Sequence, residues 1–229
     1  MKIPNPFRIF NPFFDLWVGG KNRPIFFDVD QSFPSLRSLD DHVDTIKEEL
    51  MGVLQSPTTI PKYHELDKFQ YPISGEIDAD KDWKVFLLYA LGQRPDANRK
   101  RCPKTVALLD DIPHVFQAFF SILEAGKSIP AHEGPYRGYL RYHLGVDVPK
   151  DNPPSIRIHD QWYTWKQDDS VFFDDSWNHE VVNSCKEDRV VLIVDVFRPM
   201  PKFPNRVNHF VHDVFGTLYG KLLTKNIDT

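Results

Sequence analysis

The chain is 229 residues long, enough for one domain with a substantial core, and its 41% apolar and 26% charged residues are globular composition. A formal net charge of −4 argues against a general nucleic-acid binder, and no run approaches the roughly 18 apolar residues of a membrane-spanning helix. Cys102 and Cys185 form no CxxC pair, so both are expected as free thiols of a cytoplasmic protein without a signal peptide.

The first 35 residues are rich in Pro and aromatics, from Pro4-Asn-Pro-Phe7 through Asn11-Pro-Phe-Phe14 to Phe33-Pro34, and are expected to wrap the surface as extended chain. Ser38-Leu-Asp-Asp41 reads as a capping box opening a helix whose Leu39, Val43, Ile46, Leu50 and Val53 recur at helical spacing. Two short amphipathic helices are predicted at 82–91, stopped by Gly92, and at 113–123, with Pro113 in the first turn and Gly126 just past the end.

From Ile129 the pattern turns to strands, at 139–144, 155–158, 170–173 and 190–197, separated by Pro, Asn, Asp and Gly clusters. Short strands at this spacing indicate a β-sandwich or barrel; the expected class is mainly β with flanking helices (α+β), with a double-stranded β-helix, a cupin-like jelly-roll, as the expected core. Alternation puts Arg141 and His143 on one strand face, and Arg189 on one face with Val191 and Ile193. The last segment, 204–229, carries a helical stripe at Val207, Phe210, Val211, Val214, Leu218 and Leu222, with Lys221 and Lys225 near its end. Docking on the barrel, a dimer contact and peripheral contact with a membrane are all open readings of it. As domains, 1–229 is expected as one unit: 1–80 packing as segment and helix on a core of 81–200, and 201–229 as an amphipathic helix.

His132, in Ile129-Pro-Ala-His-Glu-Gly-Pro135, and His179, in Phe173-Asp-Asp-Ser-Trp-Asn-His-Glu180, are followed by Arg189 at the head of an apolar strand. Non-haem iron oxygenases hold Fe(II) by two imidazoles and usually one carboxylate, leaving positions open for co-substrate and O2. The carboxylate expected two residues after the first histidine is Gly134 here, and Glu133 is one residue too early to share its face. The pattern is that of a two-histidine site.

The ordered set His132-Glu-Gly-Pro135, Leu140-Arg-Tyr-His-Leu-Gly145, Trp165, Phe173-Asp-Asp-Ser176, His179-Glu180, Arg189, Ile193-Val-Asp-Val196 and Arg198-Pro199 resembles the aspartyl/asparaginyl β-hydroxylase family of Fe(II)/2-oxoglutarate dioxygenases. With Cys102-Pro-Lys-Thr105, Ile112-Pro113 and Ser121, the resemblance covers most of the chain from about Trp83. It implies that His132 and His179 ligate the metal, with solvent in the position Gly134 leaves empty. It further implies that Arg189 clamps the distal carboxylate of 2-oxoglutarate, and that Arg141, His143 and Ser121 hold the metal-side carboxylate. The family tends to have glycine three residues after Trp165, where this chain has Asp168, which puts that turn's geometry in question. Asp174 and Asp175 are read as loop supports, not ligands. The implied substrate is the β-carbon of an Asp or Asn residue in a peptide or protein, with a lipid acyl chain, as in lipid A hydroxylases, as the alternative. A non-catalytic metal-binding cupin-like module is the reading from another class, and it has no need of Arg141 or Arg189.

Overall fold

The computed structural model describes residues 5–76, 80–225 and 227. Nine strands are placed in chain order: β1 (Trp83–Ala90), β2 (Val115–Leu123), β3 (Ile129–Glu133), β4 (Tyr139–Asp147), β5 (Ser155–Ile158), β6 (Gln161–Thr164), β7 (Ser170–Phe173), β8 (Asn178–Val182) and β9 (Arg189–Phe197). They form a five-stranded sheet ordered β1-β2-β9-β4-β7 and a four-stranded sheet ordered β3-β8-β5-β6, every pair antiparallel. The sheets face each other as a jelly-roll, with Phe119, Val191 and Ile193 of the larger meeting Ile129, Ile156, Ile158 and Val181 of the smaller in one core.

The helices predicted at 82–91 and 113–123 are β1 and β2. The breakers were read correctly, since Gly92 and Gly126 take φ of +84° and +70° at the ends of these elements, but the element type was not. The cause is burial on both faces. Every residue of β2 is buried, and only Lys84 and Tyr89 of β1 are partly exposed, because the other face of this sheet carries a second core. A strand covered on both sides has no polar alternation to betray its period of two.

That second core is closed by helices. The helix of the Leu39 stripe is split at residues 41–42: a turn at Arg37–Asp40 is followed by Val43–Leu54, with Leu39, Ile46, Leu50 and Val53 buried. The capping box does not form, because the Ser38 hydroxyl donates instead to the Ser35 carbonyl. A further helix, Pro103–Asp111, places its proline in the first turn and buries Leu109 in the same core.

The N-terminal segment wraps the surface as expected, but not as extended chain. Pro6 and Pro12 sit in first-turn positions, where their missing N–H costs nothing, of a 3-10 turn (Pro6–Phe10) and of helix α1 (Asn11–Val18). With the helices at 43–54 and 103–111 numbered α2 and α3, the chain ends in α4 (Lys202–Val211), one π turn (His212–Gly216) and α5 (Thr217–Thr224). The predicted stripe divides in this last segment: Val211 is buried and Val207 packs against the core, while the remainder faces outward. Phe210, Val214, Leu218 and Leu222 point outward, whereas Asn208, Val211, Gly216, Gly220 and Leu223 are buried. Gly220 lies so close to the end of β1 that a Cβ there would be 2.5 Å from the Ala90 carbonyl oxygen. Residues 226, 228 and 229 of the predicted segment lie outside the described residues.

Candidate active site

β3 and β8 bring the two histidines together by register alone. His132 and His179 are cross-strand partners, so their side chains leave the same face of the smaller sheet, and their ring centroids are 4.1 Å apart. Both rings are held alike: Nδ1 of His132 lies 2.8 Å from the Pro130 carbonyl oxygen, and Nδ1 of His179 lies 2.9 Å from that of Trp177. A carbonyl only accepts, so each Nδ1 carries the proton and each Nε2 presents a bare lone pair, the tautomer a metal ligand needs. Burial keeps both rings neutral, pushing His179 down to about 4 and His132 well below its ordinary value.

Among the described residues no group of three or more His, Cys, Asp or Glu side chains is placed to hold a metal. Glu133 turns to Arg8, 3.5 Å away. Gly134 donates its N–H to the Asp175 carbonyl oxygen at 2.9 Å, and a Cβ on it would stand 2.6 Å from Asp175 Oδ1. The strand end is therefore clamped against the loop of Asp174 and Asp175, which leaves no room for a side chain at the position of the missing carboxylate.

That loop is held from several sides. Burial opposes the charge of Asp174, but Arg198 and Arg23 outweigh it and hold the carboxyl below its usual range. Asp174 also accepts from the N–H and hydroxyl of Ser176. Asp175 accepts from the Tyr139 hydroxyl at 2.8 Å and pairs with Nη1 of Arg141 at 3.0 Å. Both aspartates act as loop supports, as the turn pattern implied. Glu180 is neither free nor at the metal position: it pairs with Arg157.

Ladder register places the remaining predicted residues on the inner face of the larger sheet. His143 opposes Ile193, Arg141 opposes Asp195, and Ser121 opposes Val191, two positions from Arg189 on the same face. His143, Ser121, Arg141, Arg189, His132 and His179 thus line one internal cavity. Arg189 is 1% exposed, its Nε and Nη1 have no hydrogen-bond partner among the described residues, and burial pushes its pKa down to about 9. The guanidinium carbon lies 4.5 Å over the Trp165 ring. His143 stacks on the same tryptophan and has neither ring nitrogen bonded, while Ser121 accepts from the Trp83 indole at 2.9 Å.

Arg141 is differently placed from what the sequence implied. Its Nε and Nη2 grip Asp195 at 2.7 and 2.8 Å while Nη1 reaches Asp175, which leaves one N–H on each Nη for anything else. Burial disfavours its charge, yet the two carboxylates raise its pKa well above the ordinary value; burial in turn pushes Asp195 up to about 6. Asp195 was missed as a site residue. Its signal was present: an acid in the middle of an apolar strand, Ile193-Val-Asp-Val196, needs a buried cation opposite. In the turn after Trp165, Asp168 takes φ +61°, the left-handed region that glycine favours, and its N–H bonds the Gly145 carbonyl oxygen at 2.9 Å.

A second chamber adjoins the first, sharing His132, Arg141 and Trp83 with it. Phe7, Phe116, Tyr136, Tyr219 and Leu223 form its walls, and Asp67, Gln70 and Gln117 supply polar groups.

Two imidazoles ready for a metal, with an unpaired buried cation in the same cavity, are what an iron site with an anionic co-substrate requires. The family model for aspartyl/asparaginyl β-hydroxylase matches residues 40–199. The chain belongs to the aspartyl/asparaginyl β-hydroxylase family. The ornithine lipid ester-linked acyl 2-hydroxylase of Rhizobium tropici is 38% identical over 176 residues, covering 76% of this chain and 61% of that protein. The aspartyl/asparaginyl β-hydroxylase of Homo sapiens is 36% identical over 123 residues, covering 52% of this chain and 16% of that one. The chain thus spans about three fifths of the first relative's length and less than a fifth of the second's. Of solved structures, the Schizosaccharomyces pombe Cnp3 cupin domain matches with a TM-score of 0.33 and 12% identity, over 42% of this chain and 64% of that one.

Proposed function

We propose that this family member is an Fe(II)/2-oxoglutarate-dependent hydroxylase, and the observation that carries the reading is Arg189. An unpaired guanidinium sealed in a core is unfavourable unless an anion completes it, and a carboxylate does so bidentately. In this reading His132 and His179 hold the metal through Nε2, their Nδ1–H bonds fixing ring orientation. Arg189 takes the distal carboxylate of the co-substrate. His143, Ser121 and the two free N–H groups of Arg141 take the metal-side carboxylate. The bound iron supplies O2 activation: one oxygen atom enters a substrate C–H bond and the other enters succinate as 2-oxoglutarate loses CO2. Trp165 and Phe173 exclude water from that cavity.

For the substrate, the sequence ranks an Asp or Asn side chain first, but the second chamber favours an acyl chain. Aromatic and aliphatic walls reaching up to His132 suit a hydrocarbon, and the Rhizobium relative named for acyl hydroxylation aligns over more of this chain than the human protein named for Asp and Asn. Succinate release with Fe(II), 2-oxoglutarate and ascorbate tests the activity, and products gaining one oxygen atom in lipid and peptide pools identify the substrate. His179→Ala is expected to abolish turnover. Retained turnover removes His179 from the metal, and metal binding without any turnover returns the chain to the class of binding modules.

A further inference from the structure

We infer that the surface formed by α1 and the C-terminal helices docks on an anionic lipid bilayer. The two ends of the chain build this face together. Phe10 meets Phe215 at 5.4 Å between ring centroids, and Phe13 and Trp17 both meet Phe203, at 6.1 and 6.2 Å. Around these pairs the side chains stand in water: Leu16 is 79% exposed, Phe210 64% and Leu222 69%, with Leu218 and Phe203 close behind. Scattered exposed hydrophobics mean nothing, but large ones gathered on one face mark a surface that is covered in use.

Charge selects the occupant. Residues 202–225 carry four cations, Lys202, Arg206, Lys221 and Lys225, against the single acid Asp213, in a chain whose net charge is −4. Basic residues flanking an apolar helical face are the pattern of an interfacial helix on anionic lipid. A second copy is the poorer fit, because a two-fold contact lays the same patch on itself and brings like cations together. The face is also continuous with the site. The helix that points Leu218 and Leu222 outward points Tyr219 and Leu223 into the chamber shared with His132, and Phe7 comes from the N-terminal side of the same face. Docking there leaves one helix thickness between the bilayer and the chamber.

Flotation with phosphatidylcholine vesicles, with and without phosphatidylglycerol, tests the surface and needs no turnover, so its outcome is separate from that of the substrate reading. The protein is expected to float with phosphatidylglycerol-containing vesicles, and more weakly at high salt. Lys221→Ala with Lys225→Ala is expected to weaken binding roughly fivefold per lysine. Leu218→Asp with Leu222→Asp is expected to abolish it, with circular dichroism confirming that the fold survives. If the aspartate variant fails to fold, the lysine variant and the salt series still decide. No flotation with either vesicle, or binding unchanged in both variants, overturns the proposal. So does a dimer in analytical ultracentrifugation that the leucine substitutions break while vesicles are ignored.

Discussion

Arg189 is a residue whose surroundings make little sense without a ligand. Its charge is buried with no carboxylate partner, and the contact with Trp165 returns at most about 2 kcal/mol against a desolvation penalty of several. On the proposed co-substrate role, function and stability are opposed at this position. Arg189→Met, which keeps the length and loses the charge, is expected to stabilise the ligand-free protein by about 1–2 kcal/mol, raising Tm by several degrees, while abolishing 2-oxoglutarate binding. Thermal unfolding and calorimetric titration read the two effects. A drop in Tm of the size of an ordinary core truncation would reveal a structural partner for Arg189 and sink its co-substrate role. The inward direction of Arg189 was legible from strand alternation. Its lack of a partner was not, because that depends on which side chains from the other strands of both sheets point at it.

At the scale of elements, the antiparallel pair β3 and β8 sets the geometry of the two histidines proposed to hold the metal. The β3 end is fixed to the Asp174–Asp175 loop by the Gly134 N–H, and Asp175 fills the space a side chain at 134 would need. Gly134→Asp, the substitution that restores the usual triad on paper, is expected to cost about 1–3 kcal/mol through overpacking and not to tighten metal binding. Denaturant unfolding and Mn(II) titration check it, and a stable variant with tighter Mn(II) binding would refute the steric account. β3 and β8 themselves were not read as strands, because both are short, half-polar and bounded by turn residues. β1 and β2 were read as helices for the opposite reason: Trp83–Ala90 and Val115–Leu123 are apolar on both faces, and a continuous apolar run carries no period. In the C-terminal segment the apolar stripe is divided: Phe210, Val214, Leu218 and Leu222 face solvent, while Val211 and Leu223 make the contact together with Asn208, Gly216 and Gly220.

For the whole molecule, the buried site sets the response to acid. His132, His143 and His179 are held neutral by burial, with His179 near 4, whereas the unfolded chain protonates them near 6.5. Their folded values are depressed, so the stability they contribute is present above pH 6.5 and is lost as pH falls, about 1.4 kcal/mol per pH unit for each ring. Asp195, raised to about 6, and Asp175, also raised by burial, act in the other sense: folded, they take up protons that unfolded carboxylates bind only near pH 4. Between pH 6 and 4 the three rings outweigh the two carboxyls, so the unfolded state binds the more protons. Urea unfolding of the metal-free protein is expected to show stability falling with pH across that window. His143→Phe keeps an aromatic ring against Trp165, removes one titrating group, and is expected to flatten the dependence. An unaltered slope in that variant would mean His143 is not the neutral buried ring its unpartnered nitrogens imply.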